Sequence, residues 1–216
     1  MKKNFLVIGM GRFGEHLSLR LVELGNDVMI VDQNEEIINR LANRVTCAQV
    51  GDCKNEAVLK SLSVNGFDMC FVCIGNDFQS SLEITSLLKE LGAKRVVSKA
   101  STRIQEKFLL RNGADEVVYP EKDLARKLAV QYSGHNIFDY YQVSGDLAVF
   151  EIAVPRSWVG KSILEINVRQ KHNVNILAVK REGSVCLAGP ELTFLKGDHL
   201  LVLGTGERIN KLTKNS

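Results

Sequence analysis

A short glycine-rich segment near the start of the chain carries the clearest chemical signal in the sequence. Gly9, Gly11 and Gly14 form a Gly-x-Gly-x-x-Gly pattern that directly follows an apolar run and directly precedes an amphipathic one. In that context the first glycine permits a tight turn, the second lets the backbone approach a pyrophosphate, and the third allows a helix to pack closely on a sheet. The helix N-terminus then presents free N–H groups to an anion. The pattern therefore predicts a nucleotide-binding turn.

Two charged residues indicate which nucleotides the turn would bind. Asp32 ends the second apolar run, at the spacing where a carboxylate accepts hydrogen bonds from adenosine ribose hydroxyls and repels a 2′-phosphate. Arg12 stands beside the second glycine, where its guanidinium would lie near the distal phosphates of a nucleotide. These residues suit ATP or ADP as well as NAD(H). The alternative is a glycine turn that only packs, with Asp32 as a helix cap and Arg12 as an exposed arginine.

Further candidates follow the later predicted strands, at the carboxyl edge where open parallel sheets bind ligands. Gly51-Asp52 and Gly75-Asn76 equally fit ordinary turns, and Lys99, which would reach a phosphate, equally fits a solvated surface lysine. The candidate cofactor-binding residues are Gly9, Gly11, Arg12, Phe13, Gly14, Asp32, Asn34, Gly51, Asp52, Ile74, Gly75, Asn76 and Lys99.

The sequence offers no catalytic set. One of its four histidines falls in the first predicted helix, one in the connector and two in the small C-terminal domain, without a neighbouring Asp, Ser or Cys pattern. They are His16, His135, His172 and His199. We therefore expect a nucleotide-responsive binding protein and not an enzyme. An NAD-dependent oxidoreductase, or an NADH redox sensor that uses the same glycine turn, is the alternative.

The cysteines indicate buried thiols in a reducing compartment. There are five, and their spacing is not that of a disulfide framework. Cys70-Phe-Val-Cys73 resembles a metal or redox pair, but it lies in an apolar strand-like run. Residues three apart in a strand point to opposite faces, so these two thiols would not chelate one ion.

Composition predicts a soluble globular protein with no nucleic-acid partner. Of 216 residues, 45% are hydrophobic and 25% charged, and the net charge of +3 is spread without a basic cluster. The longest apolar runs are far shorter than the roughly 20 residues of a membrane span. The first residues run into a glycine turn and read as a strand, so a cytoplasmic location is expected.

The elements that would position the candidate residues alternate between strand and helix over residues 1–120. This alternation predicts an α/β fold with a doubly wound, parallel Rossmann-type sheet. The predicted strands are Phe5–Ile8, Val28–Val31, Thr46–Val50, Met69–Ile74, Val96–Ser98 and Val117–Tyr119. The predicted helices are Phe13–Leu24, Glu35–Ala42, Glu56–Leu62, Gln79–Leu91 and Thr102–Arg111.

Beyond Pro120 the pattern changes. Residues 121–144 read as a helix, Glu121–Ser133, that reaches beyond the closed domain, followed by an aromatic connector, His135–Tyr141, of a kind that packs between domains or subunits. Residues 145–216 read as a small α+β domain. Its predicted elements are strands at Ala148–Val154, Ile176–Lys180, Ser184–Leu187 and His199–Leu203, and helices at Ile163–Arg169 and Glu207–Lys214.

Taken together, these motifs resemble the RCK-domain (regulator of potassium conductance) regulatory subunits of Ktr/Trk-type potassium uptake systems, and the Ktr type in particular. The resemblance covers nearly the whole chain, as an RCK-N domain followed by an RCK-C domain. The segments that carry it are residues 7–14, Val31-Asp-Gln-Asn34, Gly51-Asp52, Ile74-Gly75, Gly113-Ala-Asp115, Tyr119-Pro-Glu-Lys-Asp123 and Ile163-Leu-Glu-Ile-Asn-Val-Arg169.

The resemblance implies an assembly and an activity. It implies a homodimer joined through the crossover helix and built into an octameric ring beneath a separate integral-membrane potassium transporter, hence a cytoplasmic protein peripheral to the membrane. ATP would favour the active ring and ADP the inactive one. By position, Arg12 would contact the terminal phosphate and Asp32 the ribose. Glu121 matches a carboxylate that binds a divalent cation, Mg or Ca, between paired subunits.

The resemblance also implies an effector site in the second domain, since cyclic di-AMP binds the RCK-C dimer interface of similar proteins. Most of the comparable positions equally fit a hydrophobic core. They are Ile163, Leu164, Asn167, Val168, Arg169, Ile176 and Pro190.

Overall fold

A computed structural model describes residues 2–133 and 136–214. The chain divides into two compact units, Met1–Glu121 and Lys122–Ser216. Each unit has its own hydrophobic core.

The first unit is built on a six-stranded sheet in which every paired strand is parallel. The strands are β1 (Asn4–Ile8), β2 (Asp27–Asp32), β3 (Cys47–Val50), β4 (Met69–Val72), β5 (Val96–Lys99) and β6 (Glu116–Val118). The sheet order is β3-β2-β1-β4-β5-β6, so the chain winds outward from β1 in one direction and then from β4 in the other. This is the predicted Rossmann-type sheet. Both ends of each predicted strand lie within two residues of the ends of the observed strand.

Five helices connect these strands, as predicted. They are α1 (Arg12–Glu23), α2 (Glu35–Leu41), α3 (Glu56–Ser61), α4 (Phe78–Glu90) and α5 (Arg103–Arg111). Four of them begin at a residue whose side chain accepts a backbone N–H of the first turn, a strong helix-start signal. These capping residues are Asn34, Asn55, Asp77 and Thr102. Helix α1 differs, because Gly11 occupies the capping position and has no side chain to offer.

The central strands are buried on both faces. Leu6 and Val7 alternate between two separate core clusters, one on each side of the sheet. Cys70 belongs to the first cluster and Cys73 to the second, so the two thiols point away from each other, as strand geometry predicts. Burial raises the pKa of both thiols to about 12, which keeps them protonated and unreactive.

The second unit is a five-stranded antiparallel sheet with short helices. Helix α6 (Pro120–Ser133) leads into it. The remaining elements are β7 (Ile137–Ser144), β8 (Leu147–Ala153), α7 (Ile163–Ile166), α8 (Val168–His172), β9 (Asn175–Arg181), β10 (Ser184–Leu187), β11 (His199–Thr205) and α9 (Gly206–Thr213). The sheet order is β10-β9-β11-β8-β7. A 3₁₀ turn, Arg156–Trp158, follows β8.

The aromatic segment predicted as a connector is instead strand β7, for the part of it that the structure describes; His135 lies outside the described residues. The Tyr140 ring packs on Phe150 with centroids 5.2 Å apart, and Phe138 stacks on His199 at 4.0 Å. Tyr140 and Phe138 thus contact rings of other strands, although Phe138 and Tyr141 stay partly exposed, at 42% and 52%. The segment is a strand because aromatic enrichment is also typical of strands, and its packing between domains or subunits stays a prediction.

The single helix predicted over Ile163–Arg169 is two short helices. Ser162 and Glu165 form a capping box that starts α7, and Asn167 ends it with a left-handed φ of 52°. Asparagine tolerates this conformation better than most residues, so α7 stops after one turn and α8 begins in a new direction. Apolar periodicity alone does not reveal such a break.

One buried ion pair anchors the turn before β11. The Asp198 side chain is 1% exposed. It accepts hydrogen bonds from Arg181 Nε and Nη2 at 2.8 Å each and from the Leu195 N–H at 2.8 Å. The Arg181 guanidinium holds the pKa of Asp198 below its ordinary value. Truncating Arg181 would leave a buried carboxylate with one remaining donor.

We predict that Arg181→Gln lowers the free energy of unfolding of the second unit by about 2 kcal/mol at neutral pH. The reason is that the Asp198 carboxylate would stay buried and charged without its guanidinium partner. Urea unfolding followed by the fluorescence of Trp158, the single tryptophan, measures it. Arg156→Gln, at an exposed arginine of the same unit, should change little. The stability contributed by the Arg181–Asp198 ion pair is complete above the ordinary Asp pKa of 3.8. It is lost as the pH falls through the lower pKa of Asp198 in the folded protein. Equal stability of both variants would contradict the prediction.

Candidate functional site

The parallel sheet gathers most of the predicted nucleotide-binding residues at one edge. The glycine turn follows β1, Asp32 ends β2, Gly75 follows β4, and Lys99 ends β5. Since β1 and β4 are hydrogen-bonded neighbours, the two loops after them leave the sheet in opposite directions. A crevice of this kind, where the strand order reverses, is where open α/β sheets bind ligands.

The glycines of the turn are required for different reasons. Gly9 has a φ of +92°, which favours glycine. A Cβ at Gly14 would lie 2.0 Å from the Gly9 carbonyl oxygen, so packing of α1 on the turn excludes any side chain there. A Cβ at Gly11 would meet nothing within 4 Å. Packing within the protein would therefore tolerate a side chain at position 11. The open space beside the Gly11 backbone is available to a ligand.

Asp32 holds the glycine turn in shape. Its Oδ2 accepts the Met10 N–H at 2.5 Å, and its Oδ1 accepts the Asn34 N–H at 2.8 Å. A carboxylate has about four acceptor positions, so capacity for hydroxyl donors remains. Asn34, not Asp32, caps α2, because its Oδ1 accepts the Ile37 N–H at 3.2 Å. The capping alternative for Asp32 was therefore wrong.

The N-terminus of α1 presents a positive surface to the crevice. Gly11 gives it no side-chain cap, so first-turn N–H groups stay available to an anion. Arg12 is exposed, and its guanidinium forms no hydrogen bond or ion pair with any residue in the described ranges. Phe13 is half-buried and packs against the core beneath the helix. The guanidinium of Arg12 is thus not used by the fold.

Lys99 is not the solvated lysine of the alternative prediction. Its side chain is only 12% exposed, and its Nζ lies 2.7 Å from Glu121 Oε1 and 5.9 Å from the centre of the Phe13 ring. A Cβ at Gly75 would lie 3.4 Å from the same Nζ. The ammonium group is therefore held between the loop after β4 and the start of α6.

Glu121 opens α6 with a carboxylate that is 61% exposed. Its hydrogen bond from Lys99 holds the pKa of Glu121 below its ordinary range. Across residues 2–133 and 136–214, no group of three His, Cys, Asp or Glu side chains is placed to hold a metal ion. Glu121 alone would therefore supply at most part of a cation's coordination.

The remaining candidates at this edge have structural explanations. A Cβ at Gly51 would lie 3.1 Å from Val58 Cγ1, and Asp52 Oδ1 accepts the Lys54 N–H at 3.0 Å, as in an ordinary turn. Ile74 packs against the core, and Asn76 is exposed. None of these contacts prevents a ligand from reaching the backbone.

Sequence reasoning missed Ser101, which lies at the same edge. Its Oγ donates to the Gly75 carbonyl oxygen at 3.4 Å, and its N–H donates to Gln105 Oε1 at 2.8 Å. It therefore ties the loop after β4 to the loop after β5. The available signal was position, since Ser101 stands two residues beyond Lys99.

The second unit brings only some of its seven candidates together. Leu164 is 62% exposed, and its N–H donates to the Pro190 carbonyl oxygen at 3.0 Å. Arg169 is exposed on α8, and Ile176 is half-buried against the core. Ile163 is also half-buried and packs on this core. Val168 is buried within this core, because α8 packs through that residue, and a ligand contact there stays a prediction.

Asn167 is the hinge between the two short helices. Its Nδ2 donates to Gln170 Oε1 at 3.0 Å, and its backbone is left-handed. The conformation gives Asn167 a role in shaping this surface.

Fold and site together define a Rossmann-type domain, with a crevice at the carboxyl edge of its sheet, followed by a small antiparallel domain. Two family descriptions match in the same order: the TrkA-N domain over residues 5–120 and the TrkA-C domain over residues 147–216. The chain belongs to this TrkA-N and TrkA-C family, which includes the Ktr system proteins of potassium uptake. None of the helices within the described ranges is both long and apolar enough to cross a membrane.

The similar proteins extend over the full chain. The Ktr system potassium uptake protein C of Bacillus subtilis (strain 168) is 37% identical over 216 residues, which are 99% of this chain and 97% of that protein. Protein A of the same system and organism is 36% identical over 97% of this chain and 95% of its own length. Among solved structures, a GsuK channel bound to NAD matches 100% of this chain and 39% of that chain, with a TM-score of 0.70 at 18% identity. That likeness concerns the fold.

Gly11, which precedes α1, and Gly14, in its first turn, should respond differently to alanine. We predict that Gly14→Ala lowers the stability of the first unit by about 3 kcal/mol, because its Cβ would clash with Gly9. Gly11→Ala should fold normally but bind ATP about tenfold more weakly, since the methyl group would occupy the open space. Urea unfolding and calorimetry measure the two effects.

Gly66→Ala is the matched control, because a Cβ there also meets nothing within 4 Å. It should retain both stability and ATP binding. Unchanged ATP binding by Gly11→Ala would argue against a ligand beside this backbone.

Proposed function

We propose that this chain is a cytoplasmic, nucleotide-responsive regulatory subunit, peripheral to the membrane, that controls a separate integral-membrane potassium transporter. The observation that carries the proposal is the uncapped N-terminus of α1 with Arg12 unpaired beside it, at a crevice of the sheet. The full-length similarity to Ktr system proteins supports the potassium-uptake role.

ATP and ADP are the proposed ligands. Asp32 would accept the ribose hydroxyls and disfavour a 2′-phosphate, and the glycine turn would hold the first two phosphates. Arg12 would meet the terminal phosphate that ATP has and ADP lacks. NAD(H) fits the same turn, and a structural neighbour of this fold is bound to NAD. An NADH redox sensor or an NAD-dependent oxidoreductase is therefore the competing function.

The Lys99–Glu121 pair would connect the nucleotide to helix α6. Lys99 lies against Gly75 in the crevice, so a phosphate placed there would compete with Glu121 for the ammonium group. A displaced Glu121 would then be available to a divalent cation, Mg or Ca, together with phosphate oxygens or a second copy of the chain. Binding at the crevice would thus change the start of α6.

Helix α6 also offers a surface for a second copy. Leu124, Leu128 and Tyr132 follow at four-residue spacing, and all three are exposed. Residues four apart lie on one face of a helix, so these side chains form an apolar stripe. We propose that the stripe joins a homodimer, the unit of the octameric ring implied by the resemblance.

We further propose cyclic di-AMP as an effector of the second unit. The exposed Leu164 beside Pro190 would pack on the adenine, and Arg169 would meet a phosphate. A symmetric dinucleotide suits a two-fold interface, because each half meets the same residues.

Arg12→Ala should weaken ATP binding about tenfold or more and leave ADP binding nearly unchanged, because only ATP would lose a charge-assisted hydrogen bond. Asp32→Ala should weaken both nucleotides together. Calorimetry on the full chain measures each affinity. Arg20→Ala, at an arginine that pairs with Glu23 further along α1, is the control and should bind like the native chain.

Equal losses for ATP and ADP in the Arg12 variant would refute its role at the terminal phosphate. Binding of NADH alone, or transfer of hydride to an acceptor, would support the redox alternative.

Arg169→Ala should weaken cyclic di-AMP binding to the full chain about tenfold, through loss of a phosphate contact. Lys196→Ala, an exposed cation of the same unit, should have no such effect. Calorimetry measures both, with cyclic di-GMP as the comparison ligand. No binding of cyclic di-AMP at tens of micromolar, or binding that Arg169→Ala leaves unchanged, would remove this effector site and leave the nucleotide site untouched.

A further inference from the structure

A basic cavity of about 230 Å³ lies in the second unit, apart from every residue assigned above. Its walls come from the 3₁₀ turn Arg156–Trp158, the end of α8, and α9. Four of its lining side chains are basic. These are Lys171, His172, Arg208 and Lys211.

Most of these basic side chains form no ion pair within the described residues. Lys211 pairs with Glu207 at 2.6 Å along α9. The side chains of Lys171 and Arg208 form no ion pair or hydrogen bond with any residue the structure describes. Cations that face one cavity repel each other, and an anion placed between them would relieve that repulsion.

Aromatic rings form part of the cavity wall. Trp158 is buried, and its ring centroid lies 5.8 Å from Phe194 and 5.3 Å from His172. His172 is half-buried, and burial, assisted by the charge of Lys171, lowers the pKa of its imidazole. Lys171, Arg208 and the Lys211–Glu207 pair are the other charged groups at the cavity. An anion would favour protonated His172 and so offset these effects.

We propose that this cavity binds a small phosphate-type oxyanion, either inorganic phosphate or a phosphomonoester. Arg208 would supply a fork of parallel N–H donors, Lys171 a point charge, and His172 a ring N–H. A volume of 230 Å³ is below the roughly 300 Å³ at which pockets for drug-sized ligands begin, which favours a ligand of a few atoms. The site is independent of the glycine turn, which lies in the other unit.

Trp158 makes the proposal directly measurable, because it is the only tryptophan and its ring neighbours His172. A protonated imidazole quenches indole fluorescence more than a neutral one. Titration of the full chain with inorganic phosphate at pH 7 and constant ionic strength should therefore quench the fluorescence saturably, with half-saturation at or below about 1 mM. Potassium chloride at matched ionic strength should not.

Variants assign the response to the cavity. Lys171→Gln and Arg208→Gln should each raise the phosphate concentration at half-saturation about tenfold. Lys196→Gln makes the same charge change outside the cavity and should behave like the native chain. Arg12→Ala should also respond normally, which separates this site from the nucleotide turn.

Parallel titration with glycerol 3-phosphate distinguishes the two ligand sources. A lower half-saturation with the ester would assign the site to a phosphorylated metabolite, and a lower one with inorganic phosphate would assign it to the free anion. A response that fails to saturate with either ligand, that chloride reproduces, or that survives in both the Lys171 and the Arg208 variants would overturn the proposal.

Discussion

The close approach of helix α1 to the Gly9 turn is the contact on which the crevice at the edge of the parallel sheet depends. Gly14 faces the Gly9 carbonyl oxygen at a distance that leaves no room for a side chain, so the helix begins directly above the end of β1. Asp32 ties the same turn to β2 through the Met10 N–H. These two constraints aim an uncapped helix N-terminus at the sheet edge. Every proposed phosphate contact in the first unit relies on that direction.

Sequence reasoning predicted the parts of this arrangement that are local. The glycine spacing and the position of Asp32 follow from one βαβ unit, and periodicity located all six parallel strands. The Lys99–Glu121 contact was not predictable in that way, since it joins residues 22 apart and requires β5 and β6 to be neighbours. Backbone detail was equally hidden, because the left-handed Asn167 splits a helix that periodicity treats as continuous.

The two units use charge in contrasting ways, and the contrast separates structural from ligand-facing groups. The Arg181–Asp198 pair is closed, in the sense that the guanidinium of Arg181 and the carboxylate of Asp198 are hydrogen-bonded to each other. Arg12 in the first unit, and Lys171 and Arg208 in the second, remain without ion pairs in the described part of the chain. A closed pair stabilises the fold, whereas an unpaired cation at a concave surface raises the affinity for anions.

The proposed regulation depends on the confined position of the Lys99 side chain. A ligand shifts an equilibrium only by the difference in its affinity for two states, so ATP and ADP must differ in some contact that changes between them. The terminal phosphate is the chemical difference, and a charge-assisted hydrogen bond to it is worth about 1.5–3 kcal/mol, or roughly tenfold to 150-fold in affinity. With its side chain 12% exposed, Lys99 has little freedom to serve two anions at once. Competition between a nucleotide phosphate and Glu121 for Lys99 would therefore couple occupation of the crevice to the first turn of α6, while Arg12 would distinguish ATP from ADP.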